Sequence, residues 1–206
     1  MNENNIAVRL FFSKTGRAKY ISALDLITCF QRAIRRTDIP IWHTQGFNPH
    51  TYVNVTGVQT CALPILKLTE QTDFDVVRDK LNAVLPPDIR IIRVALPVKK
   101  HTEIEKSVYS VHIVCDYEKL EEFMKLPAIE VEKKTKKGIT TLDIKPFTEV
   151  KDYERGHFAL IMPSGCDFTL NPSLFFDAFE KYSGEETERL DIVRTDILCK
   201  DGTQFE

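Results

Sequence analysis

The order of apolar runs in the first half of the chain is the feature that most constrains its fold. Ile6 to Phe12 is a short apolar run that ends at a Lys-Thr-Gly turn, which is typical of a β-strand. Ser22 and Asp25 then have the spacing of a helix N-terminal cap. The apolar side chains that follow recur at helical intervals, at Leu26, Ile27, Phe30, Ala33 and Ile34. Pro40 ends this helix.

The later elements of this half complete a known order. The sequence PIWHT after the helix predicts a strand, and a turn separates it from a second extended piece at Thr51 to Val55. Phe74 to Leu85 predicts a second helix and Ile89 to Leu96 a last strand. Strand, helix, two strands, helix and strand is the split βαβ order of a ferredoxin-like fold.

The second half repeats this order more loosely. Val108 to Cys115 alternates as a strand, Tyr117 to Leu126 fits a short helix, and Asn171 and Pro172 begin a further helix. We therefore predict an α+β fold of two ferredoxin-like halves, with antiparallel sheets packed on helices. Their predicted bounds are residues 1–97 and 108–206, joined by a polar linker at 98–107.

Composition narrows the classes of function. The chain has 206 residues, of which 43% are hydrophobic. Its sequence shows neither a signal peptide nor a membrane-spanning run. We therefore expect a cytoplasmic protein that does not enter a membrane. Its five cysteines are scattered without zinc-site spacing, and no metal site is predicted. Known nucleotide, esterase and zinc-protease motifs are lacking in the sequence. No catalytic residue can be assigned; His43 or His50 would be the candidate general base.

Positive charge is concentrated in the first quarter of the chain. Residues 1–50 hold seven Lys and Arg against three acids, a net of +4, whereas the rest carries -6. Spacings of three and four place the guanidinium groups of Arg32, Arg35 and Arg36 in one cluster on a helix, where Lys14 and Arg17 of the preceding turn could join them. Guanidinium groups suit phosphate or carboxylate. The alternative is a solvated face that keeps the protein in solution.

The segment IPIWHTQGFNPH, directly after this helix, is unusually rich in aromatic, histidine and turn-forming residues for a connection between two elements. It holds the chain's single Trp and two of its five His, and its candidate binding residues are Trp42, His43, Gly46, Phe47, Asn48 and His50. We predict that they and the arginines converge to form one positively charged recess for an anionic, partly aromatic ligand. The alternatives are a Trp packed in the core, ordinary hydrogen-bonded histidines and a tight turn that fixes a strand pair.

Residues 55–65, VTGVQTCALPI, break the period-two pattern expected where a strand should finish and turn. The segment is similar to translated sequencing-adapter DNA. Two interpretations are open: native residues have been displaced by a sequencing artefact, or the chain has an irregular loop there. No function is assigned to this stretch.

Four motifs in order resemble a known family. They are the Lys-Thr-Gly turn at 14–16, ISALDL at 21–26, RAIRR at 32–36 and GFNPH at 46–50, within the run from Arg9 to His50. In this order and spacing they resemble the opening of the bacterial radical-SAM-linked, or radical-SAM-associated, domain family of unknown function. Two departures are Ala23, where many relatives have His, and residues 55–65, which replace the family's LPLSLG-type segment.

The resemblance implies an accessory role. Such domains occur fused to, or encoded beside, radical SAM proteins that often carry a cobalamin-binding region. This chain lacks the CxxxCxxC motif that holds a radical SAM cluster. We therefore expect no cofactor in this chain, and expect the iron-sulfur cluster, S-adenosylmethionine and any cobalamin on a partner radical SAM protein. The alternatives are an RNA-binding or RNA-modification module and, third, a stand-alone enzyme that uses His43 or His50.

Overall fold

The computed structural model describes residues 5–49, 51, 53–55, 64–135 and 138–206. His50 and residues 56–63 of the irregular stretch lie outside the described residues. The chain divides into two compact units, residues 1–101 with Glu206 and residues 102–205. Each unit has its own hydrophobic core. No helix in these described ranges is both long enough and apolar enough to cross a membrane.

The first unit has the predicted ferredoxin-like order. Its elements are β1 (Ile6–Lys14), α1 (Ala23–Ile34), β2 (Val53–Val55), β3 (Pro64–Leu68), α2 (Phe74–Val84) and β4 (Ile89–Ala95). The sheet order is β2-β3-β1-β4, and every neighbouring pair is antiparallel. Because β3 lies between β1 and β2, this is a split βαβ arrangement.

Period-two alternation decides which face of this sheet meets the helices. Val8 and Leu10 of β1 are fully buried and belong to one core cluster with Phe30 of α1 and Leu81 of α2. Helix α1 begins as predicted, because the side chain of Ser22 accepts a hydrogen bond from the backbone N–H of Asp25. The residues that alternate with Val8 and Leu10 therefore face away from both helices.

The segment between α1 and α2 differs from its prediction. PIWHT forms no full strand; Ile41 and His43 make isolated bridges to Leu68 and Thr51. The strand that pairs with β1 is instead β3, Pro64–Leu68, which the sequence did not indicate. Its first residues, Pro64 and Ile65, belong to the irregular stretch, whose broken pattern concealed the strand.

The second unit repeats the same topology with one insertion. Its elements are β5 (Ile104–Val114), α3 (Tyr117–Met124), β6 (Glu130–Thr135), β7 (Gly138–Asp143), β8 (Glu149–Glu154), β9 (His157–Pro163), α4 (Ser173–Ser183) and β10 (Glu188–Cys199). The main sheet has the order β10-β5-β9-β8 and is antiparallel. A hairpin of β6 and β7 is inserted between α3 and β8. Residues 104–107, which the sequence assigned to the linker, lie in β5.

One strand of this unit was missing from the prediction. The sequence suggested a single extended run over Ile139–Phe147, but β7 ends at Asp143 and a short 3-10 turn follows at Lys145–Phe147. Strand β8 then follows, with the charged sequence EVKDYE. Its core pattern is weak because this edge strand is interrupted between Lys151 and Glu154, where Asp152 has a positive φ of 51°.

Candidate functional site

The three arginines at the end of α1 present positive charge that the described structure does not neutralise. The side chains of Arg32, Arg35 and Arg36 are exposed, and none of their guanidinium groups donates a hydrogen bond or forms an ion pair within the described residues. Arg189 is different, since it contacts the carboxylates of Asp177 at 2.8 Å and Glu180 at 3.0 Å. The cluster is thus available to an anionic ligand.

Two of these arginines line a groove beside α1. The groove has a volume of about 490 Å³, and Arg32, Arg36 and Cys29 form the α1 side of it, while Val84 and Leu85 at the end of α2 lie across from them. Burial raises the pKa of the Cys29 thiol, and the positive charges of Arg32 and Arg36 act in the opposite direction. The field of both guanidinium groups therefore reaches into the groove.

The Lys-Thr-Gly turn at the end of β1 is held mainly by structural contacts. The Lys14 ammonium donates to the carbonyl oxygen of Ile21 at 3.3 Å. The backbone N–H of Arg17 donates to the Asp88 carboxylate at 3.0 Å, and that of Thr15 donates to the Asp88 carbonyl oxygen at 2.9 Å. Asp88 thereby satisfies the first N–H groups of the 3-10 turn at Gly16–Tyr20. The side chain of Arg17 remains exposed.

Replacing Gly16 with alanine is expected to lower the free energy of unfolding of the first unit by about 2 to 3 kcal/mol. Gly16 has a φ of +49°, and an added Cβ would lie 2.8 Å from the Asp88 carboxyl group. The substitution therefore combines backbone strain with loss of the Asp88 contact. Urea denaturation, monitored by the fluorescence of Trp42, measures this loss in the free energy of unfolding.

Gly184→Ala is the matched control for this substitution. Gly184 also has a positive φ, of +75°, but open space surrounds its Cβ position. It should therefore cost only the conformational strain, about 1 kcal/mol, in the second unit, measured by far-UV circular dichroism in urea because the single Trp lies in the first unit. Equal losses for both variants would show that Asp88 contributes nothing at the turn.

Trp42 faces away from the helices. Its backbone N–H donates to the carbonyl oxygen of Lys67 at 2.8 Å, and the Lys67 ammonium lies 5.0 Å from the centroid of its ring. Lys67 alternates in β3 with Leu66 and Leu68, which are fully buried against the helices. Trp42 and Lys67 therefore share the open face of the sheet, which is the side without helices.

Most of the described loop after Trp42 is exposed. His43, Gly46 and Asn48 are exposed, and Phe47 is 101% exposed. Gly46 has a φ of +148°, so its conformation is strained for other residue types. No residue of 42–49 is among the described residues that line the α1 groove. The structure brings Arg32 and Arg36 together with Cys29, and it does not bring Trp42 to them.

Sequence reasoning missed a second aromatic and cationic pair on the open face. Phe11 of β1 lies opposite Arg93 of β4, and the Arg93 guanidinium carbon lies 4.2 Å from the centroid of the Phe11 ring. Arg9, two residues earlier on the same face, is buried and donates to the carbonyl oxygen of Lys99 at 2.7 Å. The alternation of Arg9 and Phe11 in the sequence is the signal that could have indicated this face.

Residues 7–170 match the sequence model of DUF2344, which is described as an uncharacterized protein conserved in bacteria. The chain belongs to this family. The DUF2344 match includes the whole of α1 and its groove, and it ends shortly before α4. Neither the curated proteins nor the solved structures contain a significant match.

The described part of this DUF2344 member contains no cluster of potential metal ligands. Within the described ranges, no three side chains of His, Cys, Asp or Glu come together as they would around a metal ion. His112 and His157 stack as a cross-strand pair with ring centroids 3.7 Å apart, without a third ligand of that kind. The arginine cluster and its groove therefore remain the most developed feature of the first unit.

Proposed function

We propose that the chain is an accessory protein of a radical SAM enzyme, and that it binds an anionic substrate or partner through Arg32, Arg35 and Arg36. The observation that carries the binding part is the set of three guanidinium groups without an ion-pair partner in the described structure, two of which line the same groove. The part concerning the enzyme rests on the four sequence motifs that resemble the radical-SAM-linked family.

The chemistry of the groove favours phosphate or carboxylate as the bound group. Helix α1 ends at Ile34, so Arg32 lies in its last turn and Arg36 just after it; both line the same groove and can contact one anionic group. Asp25 also lines the groove, but its carboxylate already accepts a hydrogen bond from the Ser22 hydroxyl at 2.7 Å. The thiol of Cys29 gives the α1 side of the groove a weakly polar surface.

In this proposal the radical chemistry takes place on another chain. The partner would hold the iron-sulfur cluster, S-adenosylmethionine and, where it has the corresponding region, cobalamin. The present chain would deliver or position the anionic substrate. A shared cytoplasmic location is part of the proposal.

Association with the enzyme can be tested by co-expression. The chain would be produced together with a radical SAM protein chosen from the neighbouring genes, and purified through a tag on the chain after nuclease treatment. We expect both proteins to co-elute with iron and with the visible absorption of an iron-sulfur cluster. Separation of the two proteins under anaerobic conditions, with each one folded, would contradict the accessory role.

Cys29 provides a built-in reporter of the groove. Because Arg32 and Arg36 oppose the effect of burial, Arg32→Gln combined with Arg36→Gln should raise the pKa of the Cys29 thiol further. Alkylation of Cys29 near pH 8 should therefore become slower, as measured by mass spectrometry of its peptide.

Cys115 is the internal control for the alkylation experiment. Burial, with a smaller contribution from Asp116, raises its pKa to about 11. The reaction rate of Cys115 should rise only as the pH approaches that value, and the arginine substitutions should leave it unchanged. An unchanged rate at Cys29 in the double variant would show that the two guanidinium groups exert no field in the groove.

A second candidate function is RNA binding, and the open face of the first sheet favours it. Single-stranded nucleic acid is bound by aromatic rings that stack on bases, together with cations that contact phosphates. Phe11 with Arg93 and Trp42 with Lys67 supply one ring and one cation each, on the face that ferredoxin-like sheets leave uncovered by helices, although Arg93 also pairs with Glu206 at 3.4 Å.

Substitutions separate the two candidates. If RNA binds the open face, Phe11→Leu and Trp42→Leu should each weaken binding of a short single-stranded RNA by about tenfold, and affinity should fall steeply with salt. If anions bind only at α1, both variants should retain wild-type affinity for RNA, or RNA should not bind at all. Filter binding across a salt series distinguishes these results.

A further inference from the structure

The second unit contains a larger cavity that plays no part in the functions proposed above. It has a volume of about 600 Å³ and lies among the start of β5, the ends of β9 and β10, and the connections before β8 and after β9. This volume is within the range of small-molecule sites, roughly 300 to 1,000 Å³. All of its lining residues belong to the second unit.

Both connections that border this cavity are held firmly by the fold. After β9, Gly165 lies so close to β5 that an added Cβ would be 2.9 Å from the carbonyl oxygen of Ile104. The hydroxyls of Ser107 and Ser164 are hydrogen-bonded at 2.8 Å in the buried interior. Thr169 donates to the carbonyl oxygen of Gly165 at 2.7 Å. The cavity is thus preformed on this side.

The connection before β8 is equally constrained. Ile144 is fully buried, and the Asp143 carboxylate accepts hydrogen bonds from the backbone N–H groups of Ile129 at 2.8 Å and Lys145 at 2.9 Å. This places Phe147 against Phe168 of the opposite connection, with ring centroids 4.9 Å apart in an edge-to-face arrangement. The two rings form an aromatic wall that a flat apolar group can contact.

Charges of both signs surround this wall. Lys106, Lys200, Glu105 and Asp167 line the cavity, and within the described residues none of their side chains has a hydrogen-bond or ion-pair partner. A further acid, Glu149, is already paired with Lys151 at 3.2 Å. Two positive and two negative groups therefore border the cavity without a partner among the described residues.

We propose that this cavity binds a small zwitterion with an aromatic ring, of the class of the aromatic amino acids. A ligand with only a carboxylate would meet the two lysines and be opposed by Glu105 and Asp167, and a simple amine would have the reverse problem. A zwitterion satisfies both pairs, and its ring covers the surface of Phe147 and Phe168.

Calorimetric titration of the full chain with L-tryptophan tests this assignment. Indole-3-propionic acid, which lacks the ammonium group, tryptamine, which lacks the carboxylate, and L-alanine, which lacks the ring, serve as comparison ligands. We expect L-tryptophan to bind with a Kd of about 1 mM or lower and each comparison ligand about tenfold more weakly. Absence of L-tryptophan binding, or equal binding of indole-3-propionic acid, would overturn the proposal.

Charge variants assign the contacts. Lys106→Gln with Lys200→Gln should weaken L-tryptophan binding about tenfold and leave that of tryptamine unchanged or stronger, because tryptamine has no carboxylate. Glu105→Gln with Asp167→Asn should weaken L-tryptophan and spare indole-3-propionic acid. Lys181→Gln on α4, an exposed residue outside the cavity, is the control and should change nothing. Binding that survives both double variants would place the ligand elsewhere.

Discussion

Replacing Phe175 with alanine is expected to lower the free energy of unfolding of the second unit by about 3 to 5 kcal/mol. The Phe175 side chain is 1% exposed, and its ring lies 5.4 Å from that of Phe123, 5.5 Å from that of Phe176 and 6.2 Å from that of Phe158, between centroids. Removing the ring leaves a buried cavity without water, so the surrounding rings lose contacts that nothing replaces. For a unit of this size that loss approaches its total stability.

Amide hydrogen exchange, measured separately for the two units, tests this loss of stability. The backbone amides of β5 and β9 should exchange faster in Phe175→Ala, whereas those of β1 and β3 should keep their protection. Phe47→Ala removes the same ring from a fully exposed position and is expected to change stability by less than about 0.5 kcal/mol. Unchanged protection of β5 in Phe175→Ala would contradict the packing described for this core.

The helices were predictable because their local signals agree with their packing. Ser22 caps α1 as its spacing with Asp25 indicates, and the apolar stripe that includes Leu26 and Phe30 faces the core. The order of elements then led directly to the ferredoxin-like topology, which both units have. Capping residues and apolar spacing were sufficient here because each helix buries the same apolar face that its sequence periodicity predicts.

Strands β3 and β8 escaped prediction for different physical reasons. β3 begins within a stretch where alternation is broken, so its pairing with β1 is specified by contacts distant in sequence. β8 is an edge strand with charged residues on much of its length, and edge strands need no continuous apolar face. In both cases the partner strand determines the structure more than the segment itself does.

The candidate site was predictable in composition but not in arrangement. Arg32 and Arg36 both line the groove, although α1 ends at Ile34 and not at Pro40 as the sequence indicated, so Arg36 lies beyond the helix. The direction of Trp42 depends on its position opposite Lys67, and Ile41 beside it is buried in the core. Because neighbouring residues of an extended segment point to opposite faces, burying Ile41 directs Trp42 away from the helix layer. The direction of the Trp42 side chain can therefore be read only from the register of the sheet.

Replacing Arg32, Arg35 and Arg36 together with glutamine is expected to weaken binding of a small polyanion to the chain by about 30- to 100-fold. Each charge-assisted hydrogen bond to phosphate contributes about 1.5 to 3 kcal/mol, partly offset by dehydration of the guanidinium group. All three side chains are exposed and none packs in the core, so we expect the variant to keep the wild-type fold. Circular dichroism verifies that its fold is retained.

A triple variant of equal charge separates site binding from general attraction. Lys125, Lys151 and Lys181 are exposed residues of the second unit, and changing all three to glutamine alters the net charge by the same amount. It should retain the affinity of the wild-type chain within about twofold at physiological salt, where charges beyond roughly 8 Å are screened.

Calorimetric titration of these proteins with inorganic tripolyphosphate at fixed ionic strength shows whether the end of α1 binds anions. We expect binding to the wild-type chain and to the lysine variant and loss of binding in the arginine variant, with tripolyphosphate also slowing alkylation of Cys29 in the wild-type chain. Equal affinity of the arginine variant and the wild-type chain would show that the end of α1 is a solvated surface and not an anion-binding site.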